Sequence, residues 1–194
     1  MTTPIEEQWR TAFLETVKQR EYAEPLREAA LQENLREWTK ALTAALVATC
    51  ETLGWRASAK GHKLELLPVS RGEYLGLDVM AFAEGEKRWR FPTAVFELEN
   101  NAADDTVAYS LWKVLSVRAD LRVVYCYRPS SQQSPALVRF LKEDVVHALG
   151  LEGRIKLDGE TLVVVGSRSD SATFPYGFFK WWKLDTNTGS FRLI

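Results

Sequence analysis

The residues with the most chemical potential lie between positions 78 and 113. In Val95-Phe96-Glu97-Leu98-Glu99-Asn100 acids alternate with apolar residues. A strand sends successive side chains to opposite faces, so Glu97 and Glu99 share one face while Phe96 and Leu98 take the other. Upstream, Leu75-Gly76-Leu77-Asp78-Val79-Met80-Ala81-Phe82 places Asp78 in a run too apolar for a solvated edge. Glu84-Gly85-Glu86-Lys87 signals a turn between these runs, so Asp78 and Glu97 can meet across a hairpin. Their midpoint falls between Lys87 and Arg88, past that signal. Direct opposition therefore demands an asymmetric loop or a bulge, with Pro92 as its site. Three carboxylates gathered in a sheet interior repel one another and lose hydration, and a hard divalent cation, Mg²⁺ or Mn²⁺, relieves both penalties. Such a cation polarises a phosphoryl oxygen and generates hydroxide from bound water, which are the requirements of phosphodiester hydrolysis.

The bland alternative pairs Glu97 and Glu99 with Arg88, Arg90 or Arg122 as ordinary cross-strand ion pairs. Lys113 on the helix that follows and Glu37 and Glu51 on a preceding helix read by themselves as ordinary solvated helix residues, a site role for them being what the resemblance given below implies. Tyr109, Trp112 and Lys113 are also placed to line a nucleic-acid groove, against a core role for Trp112. Asn100 and Asn101 read as turn residues, as do Gly72 and Gly76. Competing chemistry is thin. His62 and His147 are isolated, Cys50 and Cys126 have no zinc-ligand spacing, and the chain lacks a P-loop, a G-x-G-x-x-G fingerprint and a G-x-S-x-G elbow.

The elements that must position these residues follow from periodicity. Thr3-Pro4-Ile5-Glu6 opens a helix over about 4–22 with Ile5, Trp9, Phe13 and Val17 on one stripe. After Pro25 a longer helix runs from Leu31 to Leu53, stopped by Gly54. Strands are expected over Lys63 to Val69, Glu73 to Ala83 and Trp89 to Glu99, then a helix from Asp104 to Arg118 and a strand from Leu121 to Tyr127. Ser134-Pro135 opens a helix reaching Gly150, Thr161 to Gly166 is a buried strand, and Phe174 to Ile194 forms an edge hairpin around Asp185 to Gly189. This order predicts an α/β protein, a single domain over 1–194. N-terminal helices fill 1–54, a sheet and helix core with the candidate site fills 55–127, and a helix and strands fill 128–194. Its central mixed sheet is flanked by helices.

An Asp on one strand and an acid-x-acid on the next, followed by a helix and a strand and preceded by a helix, resembles the PD-(D/E)XK superfamily of restriction-endonuclease-like nucleases. The likeness covers roughly half to two-thirds of the chain. It implies Asp78 and Glu97 as metal ligands, with the Leu98 carbonyl as a backbone ligand. Leu77 stands where the motif has proline, and Glu99 stands at the lysine position. Some members carry this Glu-x-Glu variant, in which the second acid handles the attacking water, and members also supply the lysine from the following helix, here Lys113. The resemblance implies a Mg²⁺- or Mn²⁺-dependent endonuclease acting on nucleic acid, DNA foremost. Its alternative is a catalytically silent member that binds protein or nucleic acid.

Composition sets the outer bounds. The 194 residues are 46% hydrophobic, 26% charged and 11% aromatic, which excludes collagenous, coiled-coil and wholly disordered chains. With 25 Lys+Arg against 26 Asp+Glu the net charge is -1, too small a field to demand nucleic acid or an anionic membrane as partner. The acidic N-terminus and the short apolar runs predict neither export nor a membrane span, and two unpaired cysteines suit a reducing cytoplasm. The terminal cluster of Phe174, Tyr176, Phe178, Phe179, Trp181 and Trp182 is expected to pack on the sheet or to form a homodimer or protein interface.

Overall fold

The computed structural model describes residues 3–69 and 73–194; Met1, Thr2 and the expected turn at Gly72 lie outside them. Three helices come first, α1 (Ile5–Lys18), α2 (Arg20–Leu31) and α3 (Leu35–Thr52). The helix expected over 4–22 breaks at Gln19, whose ψ of 135° is extended, and Pro25 sits inside α2 instead of ending it. α3 starts where the Asn34 side chain accepts the Glu37 N–H, and it stops at Gly54, whose φ of +73° a side chain would disfavour.

Among the described residues seven strands follow in one mixed sheet whose spatial order equals the chain order. They are β1 (Trp55–Ala59), β2 (Val79–Ala83), β3 (Ala94–Glu99), β4 (Leu121–Arg128), β5 (Glu160–Ser167), β6 (Phe179–Asp185) and β7 (Ser190–Leu193). Antiparallel β1-β2-β3 leads into parallel β3-β4-β5 and then antiparallel β5-β6-β7. The helix α4 (Asp104–Leu115) makes the β3 to β4 crossover, and α5 (Ser134–Leu141), a π turn and α6 (Gly150–Ile155) make the next. The α/β class and the helix-flanked mixed sheet are those expected from the order of elements.

Each face of the sheet carries its own core. Phe96, Leu98, Val123 and Tyr125 pack under α1, α2 and α3 around Trp9 and Phe13. Met80, Phe82, Val95, Val124 and Cys126 pack under α4 and α5. The rings expected to pack on the sheet or to form an interface go mostly to the first core. Phe178, Phe179 and Trp181 are buried against Phe13 and Trp38, leaving Tyr176 exposed. The terminal hairpin around Asp185 to Gly189 sits at the sheet edge as expected.

Three strand expectations require correction. Lys63 to Val69 is irregular, because the Tyr74 hydroxyl takes the part of a neighbouring strand: it accepts from the Leu66 N–H at 3.0 Å and donates to the Leu64 carbonyl at 3.1 Å. The strand expected over Glu73 to Ala83 begins only at Val79, since Leu75 and Gly76 have φ of +57° and +66° and turn the chain. β3 likewise starts at Ala94, with Trp89 and Phe91 exposed in the preceding loop.

Candidate active site

The β2 to β3 register decides whether the two acids meet. Val79 pairs with Phe96, Met80 with Val95 and Ala81 with Ala94; one step further, Asp78 faces Glu97. The asymmetry this required is present. The loop runs from Glu84 to Thr93, and the Thr93 N–H donates to the Ala81 carbonyl although Ala81 pairs with Ala94, a bulge-like step beside Pro92. Both acids project from the α4 face, since Met80 and Val95, which alternate in phase with them, belong to the α4 core.

Asp78 ends the β2 to β3 ladder with its side chain. Its Oδ2 accepts the Leu98 N–H at 2.8 Å, where the backbone of β2 has already turned away. In an antiparallel pair the N–H and C=O of one residue point to the same neighbour, so the Leu98 carbonyl faces the side on which Asp78 lies. Glu97 is 5% exposed. Its Oε1 forms an ion pair with Lys113 Nζ at 2.8 Å. Lys113 in turn donates to the Gly76 carbonyl at 2.7 Å. The turn at Leu75 and Gly76 that shortens β2 thus supplies the anchor for the lysine, a role the sequence did not signal.

Both carboxyls bind protons more tightly than free ones. Burial raises Asp78, against the Leu98 N–H and the Lys113 charge. Burial also pushes Glu97 up to about 6, with the neighbouring Asp78 charge adding to it and Lys113 opposing. Two acids are therefore held in a poorly hydrated pair beside one ammonium.

Glu99 does not complete a triad of ligands. Its Oε1 accepts the Asn101 N–H at 2.6 Å, which turns the carboxylate toward the loop after β3. Among the described residues no three His, Cys, Asp or Glu side chains gather to hold a metal ion, so the expected three-carboxylate cluster is corrected to two carboxylates and a lysine. Glu37 lies 3.7 Å from Lys40, and Glu51 is exposed on α3. Two arginines of the bland reading are engaged elsewhere. Arg122 donates to the carbonyls of Val117 and Asp158, and Arg90 to those of Ala83, Gly85 and Leu66. Cys50 and Cys126 are buried free thiols, the latter pushed up to about 12 by burial, and so are inert.

The donors present fit a hard divalent cation. Mg²⁺ is held by one or two carboxylates, with water and substrate phosphate filling the remaining positions. Asp78, Glu97 and the Leu98 carbonyl offer that set, with the Lys113 ammonium 2.8 Å from Glu97 Oε1 at its margin.

No known protein family and no curated protein sequence matches the chain. Among solved structures, E. coli MS115-1 NucC in its cAAA-bound form aligns with 100% of this chain and 84% of that chain, at 14% identity and a TM-score of 0.46. A likeness at that level leaves the chemistry to be read from the side chains. No described helix is long and apolar enough to cross a membrane.

Proposed function

We propose that this protein is a metal-dependent nuclease of the PD-(D/E)XK type, hydrolysing phosphodiester bonds of nucleic acid, with DNA foremost, in a reducing cytoplasm. The observation that carries the reading is the opposition of Asp78 and Glu97 on one sheet face with Lys113 beside them, at the carboxyl end of a parallel strand, where open α/β sheets place their ligands. Asp78, Glu97 and the Leu98 carbonyl would hold Mg²⁺ or Mn²⁺. When bound, the cation supplies a water of lowered pKa and neutralises charge on the phosphate. Asp78, fixed by the Leu98 N–H, and Glu97, fixed by burial, hold their oxygens in place without reorganisation. Lys113 takes the part of the lysine missing at position 99. Anchored at Gly76, it keeps an ammonium beside Glu97 with N–H donors left for an anionic oxygen. Glu99, at the rim, is the group placed to orient water or accept its proton.

A second reading is favoured by one observation: Lys113 already balances Glu97, so the cluster can persist without a cation in a silent binding module. Nicking of supercoiled plasmid and cleavage of circular single strands with Mg²⁺ or Mn²⁺ separate the two. The nuclease reading expects cleavage that Asp78→Asn and Glu97→Gln each reduce by at least about 10³-fold. Absence of cleavage with either metal, or equal cleavage by all three proteins, leaves the silent module.

A further inference from the structure

We infer that the substrate strand is read by base stacking on an exposed aromatic pair beside the carboxylates, and that the protein prefers single-stranded nucleic acid to duplex. This rests on the nuclease reading for its location, though not for its test. Tyr109 and Trp112 are 61% and 57% exposed on α4. Their rings lie parallel within 16°, centroids 6.0 Å apart. The surface they form is continuous with the site, because Lys113 Nζ stands 5.9 Å from the Tyr109 ring centroid and 2.8 Å from Glu97 Oε1. Positions 109, 112 and 113 recur at helical spacing, so one face of α4 carries both the rings and the lysine.

The charge on this helix gives a phosphate backbone little to hold, so the free faces of the bases decide between nucleic acids. α4 carries Asp104 and Asp105 in its first turn and Lys113 as its single basic residue, and the whole chain has a net charge of -1. Duplex binding draws much of its strength from neutralised phosphates, and α4 offers no such track. An exposed stacked ring pair instead offers an outer face to a base whose own face is free. In a duplex both faces of each interior base are covered by its neighbours, whereas unpaired bases of any identity can stack.

Fluorescence anisotropy tests this on the full chain, with labelled oligo(dT), oligo(rU) and a mixed-sequence duplex of equal length, in EDTA so that no cleavage intervenes. Single strands are expected to bind at least tenfold more tightly than the duplex, the two single-strand arms telling DNA from RNA. Tyr109→Ala and Trp112→Ala are each expected to weaken single-strand binding about 5- to 150-fold, with Trp112→Phe retaining most of it. Both side chains are exposed, so circular dichroism of these variants should match wild type. Duplex bound as tightly as single strand, no binding of either, or alanine variants that bind as wild type would overturn the inference. So would sedimentation showing that Trp112→Ala only dissolves a dimer. Asp78→Asn separates the two claims. Stacking without any cleavage in wild type removes the nuclease and leaves the platform, whereas cleavage lost in Asp78→Asn with binding unchanged in Trp112→Ala removes the platform and leaves the nuclease.

Discussion

Glu97 is the residue whose ionisation should govern the site. Its carboxyl is pushed up to about 6, burial being the largest cause, and metal binding needs the carboxylate. Cleavage should therefore rise through a limb near pH 6 on the acid side. Lys113 is a cause that lowers Glu97, so Lys113→Met should move that limb to higher pH as well as reduce the rate about 10²- to 10⁴-fold. A pH-rate series on the two proteins checks both, and a limb that stays at the ordinary glutamate value would remove Glu97 from the titration. Stability carries the same signature with the opposite benefit. Between about pH 4.5 and 6 the native Glu97 keeps its proton while the unfolded one has lost it, so stability falls as pH rises across that window. Glu97→Gln removes its share of that slope and leaves the share that Asp78, also raised by burial, contributes. In urea titrations above pH 6 it should be more stable than wild type by on the order of 1 kcal/mol, the full gain being offset because Lys113 loses its partner.

At the scale of elements, the turn before β2 matters as much as the strands. Leu75 and Gly76 both take left-handed backbone, and the Gly76 carbonyl they aim receives Lys113. Gly76→Ala meets no neighbour within 4 Å, so its cost is conformational, about 1 kcal/mol in urea unfolding. Cleavage should fall further than that loss explains, because the lysine's anchor moves; equal falls in folded fraction and activity would show that the anchor is idle. This turn also marks where sequence reading reached its limit. Asp78 and Glu97 were legible as a pair because alternation and a turn signal are local, and the ten-residue loop with its bulge supplied the register that arithmetic demanded. Glu99 lies on the face that alternation predicts, but its bond to the Asn101 N–H is a turn detail that alternation does not encode. β1 escaped notice since it is only five residues long and ends in Ala57-Ser58-Ala59, small residues that give no apolar alternation, paired along β2 under α3. Lys63 to Val69 imitated a strand while a tyrosine hydroxyl satisfied its backbone. Pro25 was read as a boundary, yet α2 carries it, with Leu26, Ala29 and Ala30 buried on the face that follows it.

Across the whole molecule, the sheet separates what stabilises from what reacts. The carboxylates, Lys113 and the exposed rings belong to the α4 side, and the aromatic core with the N-terminal helices fills the other. On that second side a buried ion network ties the two ends of the chain together. Lys183 on β6 pairs with Glu6 of α1 and, at 3.0 Å, with Glu160 of β5, and Glu6 Oε2 is buried without a hydrogen-bond donor. Such a network costs desolvation on every member, so removing one partner is far worse than removing both. Glu6→Ala should destabilise by about 3 kcal/mol or more, since Lys183 would keep only the partly exposed Glu160. Glu6→Leu combined with Lys183→Met should restore most of that loss by exchanging the pair for apolar packing. Chemical denaturation of the single and double variants measures the recovery, and additive losses would mean that the residues act independently. Because the network and the site lie on opposite faces, these variants should lower the midpoint of unfolding while each folded molecule still cleaves at the wild-type rate. A drop in cleavage per folded molecule would show that α1 and β6 reach through the sheet to set the positions of Asp78 and Glu97.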